Sequence, residues 1–281
     1  MTKQEQPDDI LDTPYFESRF RHVDVHRIVG HMGTHIWSFI LACCLLSVFI
    51  AFIVNMFKAN PQQWFRDAIP DTDSLVGWNM SYIDENLHKL SRWDMLSAQE
   101  WKDLVRYTYQ PFDIPNNTRI NYLEVGVGVG AWSRIFLQDF PLAAGEGIDL
   151  EEKAIRIAQL VLPEHRISVQ VLDMYYIPDG FYLQQFDYIF FPAVLCYASA
   201  LSEVYYILQG IVQHNVLKLG GNVSITFLPP DLNAQGNCVT VIPKDFWYKL
   251  KGYHVLSMQD IDDWHILNTH GQYAVFLTRQ A

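Results

Sequence analysis

The sequence predicts an α/β domain of seven strands, most of them parallel, with helices on both faces and an antiparallel hairpin at its C-terminal end, preceded by a single transmembrane helix. Three features predict it. A short apolar strand at 122–125 runs into three glycines at alternate positions, Gly126, Gly128 and Gly130, and then into a helix at 131–140 whose Trp132, Ile135, Phe136 and Phe140 share one face. From there to residue 228, strand-like and helix-like periods alternate, as they do when parallel strands are joined by helical crossovers. Residues 36–57 carry no charged side chain. These features divide the chain into a polar segment at 1–35, the span at 36–57, a linker and helical cap at 58–118, and the α/β domain at 119–281.

The glycine turn brings backbone close to a ligand. Glycine reaches positive φ without strain and has no Cβ to block the approach, and the helix that follows offers free N–H groups at the positive end of its dipole. Gly126, Gly128 and Ala131 also fit the G-x-G-x-x-A fingerprint of dinucleotide binding. Glu124 argues against that choice, because a carboxylate two residues before the first glycine repels a pyrophosphate and suits a ligand with a cationic amino-acid end. With Glu124 the stretch YLEVGVGVGAW resembles motif I of the class I S-adenosylmethionine-dependent methyltransferases, E/D-x-G-x-G-x-G, at every defined position. The resemblance covers roughly the C-terminal 165 residues. It implies a Rossmann-like sheet, S-adenosylmethionine as cofactor, and a cofactor site that includes Glu124, Gly126, Gly128 and Gly130.

The order of elements extends it. GEGIDL at 145–150 reads as a second strand ending at Asp149, where a carboxylate can accept from both hydroxyls of a ribose; the resemblance adds Leu150 beside it. Glu151 and Glu152 open a helix with Ala154, Ile155, Ala158 and Leu162 on its apolar face, and Pro163 follows. RISVQVL at 166–172 alternates as a third strand and stops at Asp173. Asp173 and the following MYYIP resemble the family's D-A-x-x-L-P segment, which implies that Asp173 accepts from the adenine amino group and that Met174 packs by the base. FDYIFF at 186–191 resembles the family's F-D-x-I strand and leads into 192–197, where side chains face the transferred methyl. The chain departs from the family's informative patterns here: it has no Asn-Pro-Pro-Tyr and no histidine just after this strand, so no catalytic residue is assigned. Cys196 and Tyr197 are the nearest polar candidates, with core packing an equal reading. A helix at 201–219 is expected from Leu201, Val204, Tyr205, Leu208, Ile211, Val212, Val216 and Leu219, ended by Gly220 and Gly221. A fifth strand at 222–228, a long loop at 229–243 suited to substrate selection, a short helix at 244–251 and strands at 253–259 and 272–279 complete the domain. A dinucleotide dehydrogenase continues instead into a second three-strand half.

Composition narrows the partners. The formal charge is −11 and the pI about 5.3, so the chain gains nothing from counterion release on a nucleic acid, and none is expected as substrate. A small-molecule or lipid-like acceptor is expected. No metal is expected: Cys43, Cys44, Cys196 and Cys238 lack ligand spacing, His22, His26, His31 and His35 lack a completing carboxylate or cysteine, and the acids at 260–263 read as a solvated turn.

Residues 36–57 give a helix of about 33 Å at 1.5 Å per residue, enough to cross a bilayer core and hold the chain to it, with Trp37 at the interface. A core helix this long normally shows a polar stripe. Orientation is almost balanced: Arg19, Arg21 and Arg27 precede the span, and Lys58 and Arg66 follow it. That places the domain in a lumen or outside by a narrow margin. The glycosylation triplets beginning at Asn79, Asn116 and Asn222 lean the same way. An endomembrane location is expected, with the mitochondrial inner membrane as alternative. Two amphipathic helices are expected between 81 and 109, the second opened by the capping box at 97–100, with Trp78, Trp93 and Trp101 packing the cap or lining a substrate pocket. The alternative to an enzyme is a methyltransferase-fold scaffold among the subunits of a membrane complex.

Overall fold

The computed structural model describes residues 47, 75, 77–90, 96–181, 185–229, 239–261 and 272–281. The chain divides into two compact units, Met1–Asn60 and Pro61–Ala281. The expected transmembrane helix, apart from Ser47, lies outside the described residues, as do the histidine-bearing segment before it, Trp93, most of the loop after the fifth strand and most of the acidic cluster after residue 260. Among the described residues no helix is long and apolar enough to cross a membrane.

In the second unit the order is α1 (Met80–Leu90), α2 (Ala98–Tyr107), β1 (Asn121–Val125), α3 (Ala131–Asp139), β2 (Ala144–Asp149), α4 (Glu152–Val161), β3 (Ile167–Val171), α5 (Ile177–Gly180), β4 (Phe186–Pro192), α6 (Leu201–Gln213), β5 (Leu217–Leu228), β6 (Tyr253–Asp260) and β7 (Tyr273–Arg279). The strands form one sheet in the order β3-β2-β1-β4-β5-β7-β6. β3 to β5 pair in parallel, and β7 runs antiparallel to both β5 and β6. The mixed seven-stranded sheet with a C-terminal hairpin is the expected architecture.

Alternation along each strand builds two cores. Leu123, Val125, Ile189, Phe191, Val223 and Ile225 face α6 and Trp247. Tyr122, Phe190 and Phe276 face α3, α4 and the cap. On that second face Trp132 and Phe190 have ring centroids 4.5 Å apart, and Tyr122 and Phe136 4.7 Å; such pairs contribute about 0.5–1.5 kcal/mol each beyond area burial.

The cap forms as its sequence requires. Ser97 and Glu100 satisfy each other's backbone N–H in a capping box, and Trp101, Leu104 and Val105 are buried. Trp101 therefore packs the cap onto the core. Polar contacts fix the cap to α3. Arg106 makes two hydrogen bonds to Asp139, Tyr109 donates to the same carboxylate at 2.6 Å, Arg134 pairs with Asp84, and Trp132 Nε1 donates to Thr108 Oγ1 at 2.9 Å.

One boundary differs. The expected helix at 201–219 ends at Gln213, and β5 starts at Leu217. Asn215 takes φ 56°, a left-handed turn that asparagine tolerates. Val216 N–H then reaches back to Ile211 O, and Leu217 pairs with Phe186 at the foot of β4. Leu217 is fully buried while Leu219 is 65 % exposed, so the apolar spacing past Gln213 belongs to a strand. The register shift between Phe186 and Tyr188 absorbs Gly220 and Gly221 inside the strand. The short helix expected at 244–251 is a 3-10 helix, Lys244–Lys249.

Candidate functional site

The residues singled out from the sequence gather at the carboxyl edge of β1, β2 and β3. Val125 pairs with Ile148, and Asp149 with Val171. Adjacent strands lie about 4.8 Å apart, so the three strand ends span about 10 Å, the scale of a nucleoside.

Gly126, Gly128 and Gly130 all take positive φ, at 79°, 53° and 86°. Gly126 and Val127 donate to Ile148 O at 2.8 and 2.9 Å, anchoring the start of the turn to β2. Gly130 is the left-handed N-cap of α3. The three differ in surroundings. A Cβ on Gly126 would stand 3.0 Å from Val194, and one on Gly130 2.8 Å from Leu162, so at both positions the protein's own side chains crowd the space. A Cβ on Gly128 would meet nothing within 4 Å. The middle of the turn is bare and open, which is the space a close-lying ligand needs.

Asp149 closes on that turn. Its Oδ2 accepts from Gly128 N–H at 2.8 Å, and its Oδ1 from Glu151 N–H at 2.8 Å. Each oxygen keeps a further acceptor direction, enough for two vicinal hydroxyls. Leu150 beside it is about half exposed. Burial raises the Asp149 carboxyl above the usual range, against the lowering by the Glu151 and Gly128 N–H bonds.

Glu124 lies beneath the turn, 1 % exposed. Ser133, in the first turn of α3, donates to its carboxylate, and Tyr122 OH donates to Ser133 Oγ at 3.0 Å. Burial pushes the Glu124 carboxyl well above its ordinary value; the Ser133 hydrogen bonds oppose this and the Asp149 charge adds to it. Among the described residues no lysine or arginine pairs with Glu124 or Asp149. Two under-neutralised carboxylates under one open turn make a place where a cation is favoured.

Asp173 caps its own 3-10 turn, accepting from Tyr175 N–H at 3.1 Å, and is held next to β2 because Leu172 N–H donates to Asp149 O at 3.0 Å. Met174 packs against the α6-side core. All eight expected cofactor residues thus lie along one edge, with Glu124 below it and the others around it.

Ala193 after β4 takes φ 56° and Phe227 near the end of β5 takes φ 62°. Ala193 N–H donates to Thr226 O at 3.2 Å, and its strained turn sets Val194 over Gly126. Cys196 is 1 % exposed and disulfide-bonded, so it offers no thiol to a reaction. Sequence reasoning missed Ser133, Tyr122 and Val194. The first two had a signal: Tyr122 and Glu124 alternate onto one strand face, and Ser133 falls in the first helical turn above it. Val194 had none, because its position depends on the strained turn at Ala193. A cavity of about 600 Å³ lies at the opposite, amino edge of the sheet beside Arg106 and Asp139; it contains none of the expected site residues. Among the described residues no group of His, Cys, Asp and Glu could hold a metal.

Residues 123–225 match a family of methyltransferase domains. No curated protein matches the chain by sequence. Among solved structures, the chain is similar to one from the complex of the Haloferax volcanii Trm112 methyltransferase activator with a methyltransferase: 17 % identity, TM-score 0.51, 64 % of this chain and 90 % of that one covered. It is also similar to magnesium protoporphyrin IX methyltransferase from Synechocystis with bound S-adenosylhomocysteine: 14 % identity, TM-score 0.50, 82 % of this chain and 100 % of that one covered. At these identities the likeness is one of fold.

Proposed function

We propose, with residues 123–225 as a methyltransferase domain for premise, that this chain is an S-adenosylmethionine-dependent methyltransferase, held to a membrane through residues 36–57 and acting on a small-molecule or lipid-like acceptor. The observation that carries the reading is the open Gly128 with the Asp149 carboxylate bonded to its N–H. The bare turn admits a nucleoside, Asp149 has free acceptor directions for its ribose, and the Asp149 and Glu124 carboxyls, which no lysine or arginine pairs among the described residues, favour a cationic ligand over a pyrophosphate.

S-adenosylmethionine supplies a methyl carbon on a positively charged sulfur, a leaving group that needs no general acid. The protein's share is alignment and exclusion of water. Glu124 does this from below: its bond with Ser133 fixes the first turn of α3 to β1. Val194, set by the turn at Ala193, walls the side of the glycine turn nearest β4. An acceptor that is already nucleophilic at working pH needs no base, in keeping with the absence of a histidine in the stretch 193–200 directly after β4. The net charge of −11 supports an acceptor other than a nucleic acid, and the uncharged stretch at 36–57 supports one available at a bilayer.

The test is calorimetry on the full chain in detergent. Wild type is expected to bind S-adenosylmethionine and Gly128→Val is expected not to. A wild type that binds neither it nor S-adenosylhomocysteine refutes the enzyme reading and leaves a scaffold in a membrane assembly; binding of NADH instead points to a dehydrogenase.

A further inference from the structure

The turn that carries Asp173 and the turn that carries Val194 meet at one carboxylate. After β3 the chain makes the 3-10 turn Met174–Tyr176, in which Asp173 Oδ1 accepts from Tyr175 N–H at 3.1 Å and Asp173 O from Tyr176 N–H at 2.9 Å. After β4 it makes the 3-10 turn Leu195–Tyr197, in which Tyr197 N–H donates to Val194 O at 3.0 Å and Ala198 N–H to Leu195 O at 3.2 Å. Each turn is thus closed by hydrogen bonds of its own. What joins them is Glu203, in the first turn of α6. Its Oε2 accepts from the Tyr175 hydroxyl, from Ser199 N–H at 2.8 Å and from the Ser199 hydroxyl at 2.7 Å.

The start of a helix does not require all three donors. The N-cap of α6 is Ala200, which has no side-chain cap, and the two Ser199 bonds by themselves tie Glu203 to that end. The Tyr175 bond instead reaches across 28 positions of chain. Burial, and then the bond to Glu203, pushes the Tyr175 phenol up to about 12. The Tyr175 bond, followed by those of Ser199, holds the Glu203 carboxyl below its usual range. At neutral pH the contact is therefore a protonated phenol on a carboxylate, one of the stronger hydrogen bonds. Tyr175 follows Asp173 closely, and Ser199 follows the turn begun by Val194, whose side chain stands beside Gly126. The spacing between Asp173 and the wall of the glycine turn passes through Glu203.

We propose that Glu203 is a positioning residue for the cofactor: it holds the Asp173 turn and the Val194 turn at one spacing, so that a ligand reaching from Asp173 to the glycine turn fits both at once. This rests on the S-adenosylmethionine reading above. A ligand that touches only the Asp149 and Asp173 side does not sense the spacing, because the Asp173 turn keeps its own hydrogen bonds. One that spans both turns does, because a loosened wall must be ordered when the ligand binds, and that ordering costs affinity.

The test is calorimetric titration of the full chain in detergent with S-adenosylmethionine and, separately, with adenosine. Wild type, Tyr175→Phe, Glu203→Ala and Glu203→Gln are compared, with affinity taken per molecule folded from urea unfolding of each. Tyr175→Phe and Glu203→Ala are expected to weaken S-adenosylmethionine by about 5- to 20-fold, within the range of coupling in one hydrogen-bond network, and adenosine by less than about twofold. Glu203→Gln keeps an acceptor oxygen in place and is expected to stay within about threefold of wild type for both ligands. Tyr175→Phe combined with Glu203→Ala should bind S-adenosylmethionine no more weakly than Glu203→Ala alone, since both remove the same link. Equal weakening of the two ligands, no weakening of either, or additive losses in the double variant overturns the positioning role while leaving the cofactor reading standing. A wild type that binds neither ligand overturns the cofactor reading, and the positioning role with it.

Discussion

Alanine at Gly128 and alanine at Gly130 separate ligand space from folding space within one turn. At both positions the backbone is left-handed, with φ 53° and 86°, and an L side chain there costs about 1–2 kcal/mol. At Gly128 that is the whole cost to the fold, because the new Cβ meets no atom within 4 Å. At Gly130 the Cβ falls 2.8 Å from Leu162 Cδ1 and 2.9 Å from its Cγ. Leu162 is itself buried, so its displacement adds about 1–3 kcal/mol, for a total of about 2–5 kcal/mol. Ligand affinity should rank the other way. The Gly128 methyl occupies the space left for the cofactor, and an intrusion of about 1–3 kcal/mol weakens binding by about 5- to 150-fold. Urea unfolding and calorimetric titration with S-adenosylmethionine, run on both variants at one temperature, measure the two quantities. Gly128→Ala should be the more stable and the weaker binder per molecule folded. If Gly128→Ala binds within twofold of wild type while losing the expected stability, no ligand lies against the middle of the turn, and the argument from its open space is wrong.

Other outcomes follow from the same geometry. Burial raises the folded pKa of Glu124 above the unfolded value, so the folded state binds more protons and stability falls as pH rises above about 4.5. Glu124→Gln should therefore flatten the decline of melting temperature between pH 5 and pH 8; an unchanged slope would mean the charge is already accommodated. A cation bound at the turn favours ionised Glu124, so the heat of S-adenosylmethionine binding should depend on the ionisation enthalpy of the buffer, with proton release; equal heats in phosphate and Tris would contradict it. Arg166 donates to three carbonyls, Ala143 and Leu137 at 3.0 Å and Phe140 at 2.6 Å, which close the end of α3. Arg166→Ala should cost about 2–4 kcal/mol in urea unfolding, at roughly 1 kcal/mol per bond lost, with cofactor affinity per folded molecule unchanged.

Local chemistry made the glycine turn legible. Alternate glycines after an apolar strand have few uses, and the structure gives each one positive φ at the head of a helix. The strand order was legible only in part. Parallel strands with helical crossovers follow from alternating periods, but nothing in the residues of β6 and β7 states that β7 enters between β5 and β6. That choice is made by pairing, Val223 with Leu277 and Val255 with Leu277 from its other side. Residues 214–219 show the limit most directly. A three-four spacing of apolar residues is also met by the end of a helix followed by a strand, and only the alignment of Leu217 with Phe186 decides between them.

By itself the sequence determined where the chain must bend without side chains, which carboxylates end the first three strand units, and that residues 36–57 are uncharged. These are properties of residues within a few positions of one another. Tertiary structure decided that Asp149 turns onto Gly128, that Ser133 and Tyr122 bury Glu124, that Val194 stands by Gly126, and that Cys196 meets chain more than forty positions later. Except for the Glu124 cluster, whose members lie within eleven positions of one another, these contacts join residues far apart in sequence and depend on how the strands come together, which no local pattern encodes.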